Sequence, residues 1–152
     1  VKVQILFFGK KSVSIFLDNI TLGPYNKQFK PNRTLKDWIS SDNDNVDNYV
    51  EDPLCGFPVT NGLWDDLANG LLEVFKKEKY PKSNNSTSIF IISGSNDPVG
   101  ENGKGVYRLN TFISSLYSNT SIKIEEGARH EVFSESSKEN SYNSLIKFIT
   151  RI

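Results

Sequence analysis

The sequence predicts an incomplete protein of the α/β class. A helical first half, residues 1–80, precedes a β-α-β-α unit, residues 81–152, that holds two parallel strands. Three observations carry this reading. Ser88 to Ile92 is a short apolar run rich in β-branched residues, the signature of a strand buried on both faces. Ser121 to Glu125 alternates apolar and polar residues, as a strand nearer an edge does. Val106, Leu109, Ile113, Leu116 and Tyr117 recur at helical spacing between the strands, and Tyr142, Leu145, Ile146, Ile149 and Ile152 do so after them. Strand, helix, strand, helix describes one right-handed crossover and a closing helix. Two strands are too few for an independent sheet. A strand apolar on both faces also wants two neighbours, and only 121–125 is on offer, so the pattern predicts that strands are missing.

The first half is less regular. Val1, Val3, Ile5 and Phe7 alternate as in a strand, but a helical stripe fits residues 1–20 equally well. Gly23 to Arg33, with prolines at its start and near its end, reads as loop. Asp42 to Tyr49 reads as a short helix with Val46, Tyr49 and Val50 on its apolar face, ended by Pro53. Thr60 is a fair N-cap for a longer helix that places Leu63, Trp64, Leu67, Leu71, Val74 and Phe75 on one face. The polar stretch Pro81 to Thr87 has no periodicity and reads as the linker between the halves.

Composition excludes several functions. Lys plus Arg and Asp plus Glu both number 18, so the formal net charge is zero, and no basic stripe interrupts the balance. Nucleic acid is therefore not an expected partner. Cys55 is the only cysteine, so there is no internal disulfide and no metal-ligand spacing; it reads as a buried apolar filler. No cofactor is expected. No apolar run approaches membrane-spanning length, and Val3 to Phe8 is too short for a signal peptide. The expectation is a soluble cytoplasmic protein without stable membrane insertion. Asn-x-Ser/Thr matches at Asn19, Asn32, Asn84, Asn85 and Asn119 are cheap in an asparagine-rich chain and do not indicate glycosylation. The chain lacks methionine and opens on Val1, which reads as a processed product or a piece of something longer.

Chemistry concentrates on two loops. Asp97 lies in Ser93-Gly94-Ser95-Asn96-Asp97-Pro98, and the only histidine, His130, lies in Gly127-Ala128-Arg129-His130-Glu131. Each loop follows a strand of one parallel pair, so both residues belong on the same rim of the sheet. An aspartate alone on such a loop means little, and a lone histidine is more often structural. Together, in the order acid then base, they match the last two members of a hydrolase triad. The nucleophile is absent: no Gly-x-Ser-x-Gly turn occurs, and Ser95 is flanked at two residues' distance by Ser93 and Asp97. Gly100 to Gly105 lacks the spacing of a phosphate loop. Asp42 to Asp47 lacks the glycine and distal glutamate of a calcium loop and reads as a solvated helix start. Arg129 is placed to orient the His130 loop through a carboxylate.

These motifs resemble the C-terminal end of α/β-hydrolases of the serine-aminopeptidase-like, monoacylglycerol-lipase and lysophospholipase group. The match rests on Ile91 to Gly100, on Gly103-Lys104-Gly105-Val106 and on Gly127 to Glu131. Tyr25-Asn26-Lys27, Asn32-Arg33-Thr34, Asp37-Trp38-Ile39-Ser40 and Asp52 to Phe57 are similar to the cap region of bacterial members. The resemblance implies an incomplete α/β-hydrolase fold with residues 1–80 as helical cap or lid. It implies that Asp97 is the triad acid and His130 the base, and that the substrate is a small-molecule ester or lipid. Trp38, Phe57 and Trp64 are candidates for a substrate pocket beneath the cap; the plainer alternative makes them the cap's own core. The family's earlier strands, serine and oxyanion hole have no counterpart, so the chain alone is expected to be inactive.

Two functions follow. One is the C-terminal fragment of a serine hydrolase acting on carboxylic esters of the monoacylglycerol or lysophospholipid type. The other is a non-catalytic remnant, or half of a split enzyme, that binds a partner through an exposed sheet edge. The partner would be the missing N-terminal half or a second copy.

Overall fold

The computed structural model describes residues 1–80 and 86–151. Most of the expected linker, residues 81–85, lies outside them. The first twenty residues resolve into two helices, α1 (Lys2–Phe8) and α2 (Ile15–Thr21). A strand there would need a neighbour to satisfy its backbone, whereas a helix satisfies its own. Ser14 caps α2 by accepting from the Leu17 N–H, and Leu17 is buried. The turn between α1 and α2 is stitched to the start of a later helix, α5 (Asn61–Val74). The Asn61 N–H donates to Ser12 O at 2.8 Å and the Gly62 N–H to Lys10 O at 2.9 Å.

Gly23–Asn26 forms one helical turn, α3, where a loop is expected; Pro24 falls at its first positions, where a missing N–H costs nothing. Helix α4 (Asn43–Glu51) starts where Asp42 accepts from the N–H groups of Asp44 and Asn45. Oδ1 of Asp42 takes both capping N–H groups, and its Oδ2 accepts from the Ser136 hydroxyl at 3.4 Å. Thr60 caps α5 through the Leu63 N–H, also as expected.

The sheet has two parallel strands among the described residues. Strand β1 (Ser88–Gly94) pairs with β2 (Asn119–Glu125) from Ser88 opposite Asn119 to Gly94 opposite Glu125. Helix α6 (Lys104–Ser114) connects them, starting and ending a little earlier than its apolar spacing suggests. Helix α7 (Lys138–Ile149) follows and stacks Phe148 on Phe90, ring centroids 5.1 Å apart. Ile89 to Ile92 are only half-buried. The run expected to be covered on both faces has a partner along one edge only, so solvent reaches it from the other.

The tightest packing lies elsewhere. Trp38, Ile39 and Ser40, on the segment before α4, are buried together with Ala128, Val132 and Glu135 on the loop between β2 and α7. The Glu131 N–H donates to Ile39 O at 2.8 Å across this seam. The loop that carries His130 is thus held by the first half of the chain as well as by the sheet.

Candidate active site

Both loops leave the sheet at its carboxyl end and are laced to each other there. The Ser95 N–H donates to Glu125 O at 2.9 Å, and the Asn96 N–H donates to Ala128 O at 2.9 Å. The Gly127 N–H in turn donates to Ser95 Oγ at 2.8 Å. Gly94 makes this approach possible. A Cβ built on it would stand 2.1 Å from Ala128 O and 2.2 Å from Arg129 O. Glycine is required because two backbones nearly touch.

The lacing brings Asp97 and His130 together. Nδ1 of His130 lies 3.2 Å from Asp97 Oδ1. The same Oδ1 accepts the Val99 N–H at 2.9 Å, and Ser93 Oγ donates to Oδ2 at 3.4 Å. Asp97 is buried, whereas the His130 side chain is 39% exposed. An enclosed acid and an accessible imidazole are what a proton relay to an outside group needs.

Charge follows geometry. Burial pushes the Asp97 carboxyl upward, but the His130 hydrogen bond and charge, with the N–H groups of Val99 and Gly100, outweigh it and hold the group below its ordinary value. The Asp97 hydrogen bond raises the His130 imidazole against the effect of burial, helped by the charges of Asp97 and Glu131. The raised imidazole stabilises the fold fully below its unfolded value, near 6.5, and that contribution is lost as pH rises through the folded value. The depressed carboxyl contributes above its unfolded value, near 3.8, and its share is lost as pH falls through the folded value. Both act in full only between those two points. A proton NMR titration of the single histidine should therefore give a midpoint above 6.5, and a midpoint at or below the ordinary value would remove the pair.

Trp38 stands against the imidazole, ring centroids 5.1 Å apart, and Tyr25 packs on the other ring contact of Trp38 at 5.5 Å. Trp38, Phe57 and Trp64 line one cavity of about 420 Å³. Trp38 and Trp64 are buried, and Phe57 is 59% exposed at the mouth side of the set. Half-buried Cys55 also lines this cavity rather than filling a core. Burial and the nearby Asp52 carboxylate raise its thiol, which keeps it neutral and a poor nucleophile.

Arg129 corrects one expectation. Its guanidinium donates to backbone carbonyls, Asp37 O and Ser40 O, the latter at 2.9 Å, and lies over the Phe29 ring at 4.1 Å. It binds no carboxylate. The Asp37 carboxylate is occupied by Arg33 and Thr34 donors, and that of Glu135 by Ser41 and the Arg129 N–H. Two contributors escape sequence reasoning: Gly94, which sits inside a motif without a visible role, and Glu135, an acidic residue in a polar loop. Only the uninterrupted closeness of Glu135 to the His130 motif could have drawn attention to it. Among the described residues no cluster of His, Cys, Asp and Glu could hold a metal ion, and no helix is long and apolar enough to cross a membrane.

A parallel strand pair with an acid and a base on adjacent carboxyl-end loops is the arrangement of an α/β-hydrolase. Residues 6–137 match the family model described as Hydrolase_4, serine aminopeptidase, S33, and the chain belongs to that family. A thermostable carboxyl esterase from Bacillus coagulans, solved in complex with glycerol, is 26% identical with a TM-score of 0.84, covering 99% of this chain and 50% of its own. A lipase in its open form is 20% identical with a TM-score of 0.82, covering 98% of this chain and 49% of its own. Monoacylglycerol lipase from Paleococcus ferrophilus is 18% identical with a TM-score of 0.53, covering 74% and 41%. The chain thus spans about half the length of the esterase and of the open-form lipase, which accords with an incomplete α/β-hydrolase fold. No curated protein matches the chain with significance.

Proposed function

We propose that this chain is the acid–base and cap-bearing part of a serine hydrolase that cleaves carboxylic esters of the monoacylglycerol or lysophospholipid type. Residues 1–80 act as cap and residues 81–152 as the end of the catalytic core. The observation that carries the proposal is the 3.2 Å contact between Asp97 and His130 at the rim of the sheet, in a chain of this family.

With Nδ1 committed to Asp97, Nε2 of His130 is the nitrogen left for chemistry. A serine supplied from outside these residues gives its hydroxyl proton to Nε2 while its oxygen attacks the ester carbonyl carbon. Collapse of the tetrahedral adduct breaks the ester C–O bond, and the leaving alkoxide takes the proton from His130. Water, deprotonated by the same imidazole, then releases the acid from the acyl-serine and restores the hydroxyl. Asp97 holds the tautomer and stabilises the imidazolium. Trp38 forms a wall shared by the imidazole and the apolar cavity, which suits an acyl chain leading from the reacting carbonyl past Phe57 and Trp64.

A second reading rests on the open side of β1. Beside β1, Ile91, Val106 and Leu109 line a trough of about 690 Å³ with Leu71 of α5 and Phe75, the residue that ends that helix; Asp97, Glu101 and Arg108 complete its lining. A partner strand added there would make the chain a binding module without catalysis. Co-production with a segment bearing Gly-x-Ser-x-Gly separates the readings. The hydrolase reading expects association, fluorophosphonate labelling of the serine and release of fatty acid from monoacylglycerol. Association without labelling, and lost on Ile91→Lys but not on His130→Ala, would leave the binding module standing instead.

A further inference from the structure

Glu135 is fully enclosed, at 0% exposure, although carboxylates are among the side chains least often buried. It lies outside both strands, on the loop that follows His130. Its oxygens accept the Ser41 N–H at 3.1 and 2.9 Å, the Ser41 hydroxyl, and the Arg129 N–H at 2.6 Å. One carboxylate therefore ties the residue before His130 to the segment that carries Trp38. The neighbouring bonds run across the same seam. Arg129 Nη1 donates to Ser40 O at 2.9 Å, the Glu131 N–H to Ile39 O at 2.8 Å, and Ser40 Oγ to Ser134 O at 3.3 Å. Glu135 itself is enclosed, so water cannot reach its oxygens in place of a donor lost there.

Enclosing a charge is unfavourable unless it is met by well-placed donors. Here every donor comes from one of two chain segments, and each segment flanks one ring of the Trp38–His130 contact. We infer that Glu135 is a positioning residue. By clamping Ser41 and the Arg129 N–H onto one carboxylate, it fixes how the His130 imidazole meets Asp97 on one side and the Trp38 ring on the other. This inference rests on the reading of Asp97 and His130 as an acid–base pair and adds to it the element that sets their geometry. Glu135 touches no reacting atom; it acts through the two segments it joins.

The single histidine makes the test direct. Imidazole titration by proton NMR on the 152-residue chain reads the Asp97–His130 contact whether or not a nucleophile is present. The groups bearing on His130 are Asp97 and Glu131, with the Arg129 guanidinium turned away onto Asp37 O and Ser40 O. Asp97→Asn lowers the midpoint by direct loss of the partner. Glu135→Gln keeps the shape but sets an amide NH2 against donors, and should lower the midpoint by most of the fall that Asp97→Asn produces. Glu135→Asp keeps the charge but cannot reach both segments, and should lower it as well. Should Glu135→Gln fail to fold, Ser41→Ala removes one donor at an exposed position and should give a partial fall. Val46→Ala, in the core of α4, should destabilise the chain and leave the midpoint unmoved.

A midpoint left as high as in the unsubstituted chain in Glu135→Gln and Ser41→Ala, beside a fall in Asp97→Asn, would overturn the positioning role and leave the acid–base pair intact. So would full rescue by Glu135→Asp, which would make the effect one of charge alone, and so would a fall in Val46→Ala, which would make it one of stability. No change in Asp97→Asn would overturn the pair itself, and with it the reading on which this inference stands.

Discussion

His130→Ala should abolish fluorophosphonate labelling and reduce ester turnover by about 10⁴-fold or more in a protein that carries both this chain and the serine segment. A serine hydroxyl is a weak nucleophile until a neighbouring base takes its proton. His130 is the only histidine in the chain, and its neighbour Glu131 is engaged by Asn45 Nδ2 at 3.0 Å. The loss should fall on kcat, because the imidazole lies beside the apolar cavity without lining it, so binding of the acyl chain is spared. Folding should be spared too. The side chain is 39% exposed and hydrogen-bonds to Asp97, so the variant loses little beyond that contact and the packing on Trp38. Single-turnover labelling and a thermal melt on the same sample separate the two quantities. Retained labelling with an intact melt would show that some other group activates the serine.

How much of this was legible in the sequence depends on the range of the forces involved. The two strands, the helices α4 and α5 and the pairing of Asp97 with His130 rest on local pattern: apolar runs and spacing, Thr60 as a cap, and loops placed at strand ends. Those signals lie within a few residues of the features they specify. The first twenty residues stayed ambiguous because alternation and helical spacing coincide over so short a stretch. The structure there is decided by bonds to residues 59–62, far along the chain. The sequence suggests a carboxylate partner for Arg129, since charge is visible in a sequence and a free carbonyl is not. Glu135 was passed over for the same reason: nothing in Ser134-Glu135-Ser136 reports that Ser41 lies opposite. The seam between the halves is built from residues about ninety positions apart, and no single-sequence pattern spans that distance.

Gly94→Ala should destabilise the fold by about 3 kcal/mol, combining overpacking with the loss of a buried hydrogen bond. That corresponds to a fall of roughly 6–12 °C in Tm for a chain of this size. The new Cβ would sit 2.1 Å from Ala128 O and 2.2 Å from Arg129 O. Both are backbone atoms, so no side chain can swing aside. Relief requires the ends of β1 and β2 to part by at least roughly 1.3 Å, the gap between these separations and an ordinary non-bonded contact of about 3.5 Å. Parting them stretches the bond from the Asn96 N–H to Ala128 O, and it carries Asp97 away from His130. That pair stands at 3.2 Å, already at the long end for a hydrogen bond, so a further ~1 Å breaks it. The His130 midpoint should drop towards its ordinary value along with the loss of stability, and turnover in the assembled hydrolase should fall by about 10²-fold. Gly70→Ala is the internal control. Its Cβ meets nothing within 4 Å, and it lies inside α5, so it should raise stability by roughly 0.5–1 kcal/mol through helix propensity and leave the midpoint unchanged. If Gly94→Ala melted like the unsubstituted chain and kept the raised midpoint, the close approach of the two loops would not be what aligns the pair. The loss would then have to be sought in the Glu135 seam, the other restraint on the His130 loop.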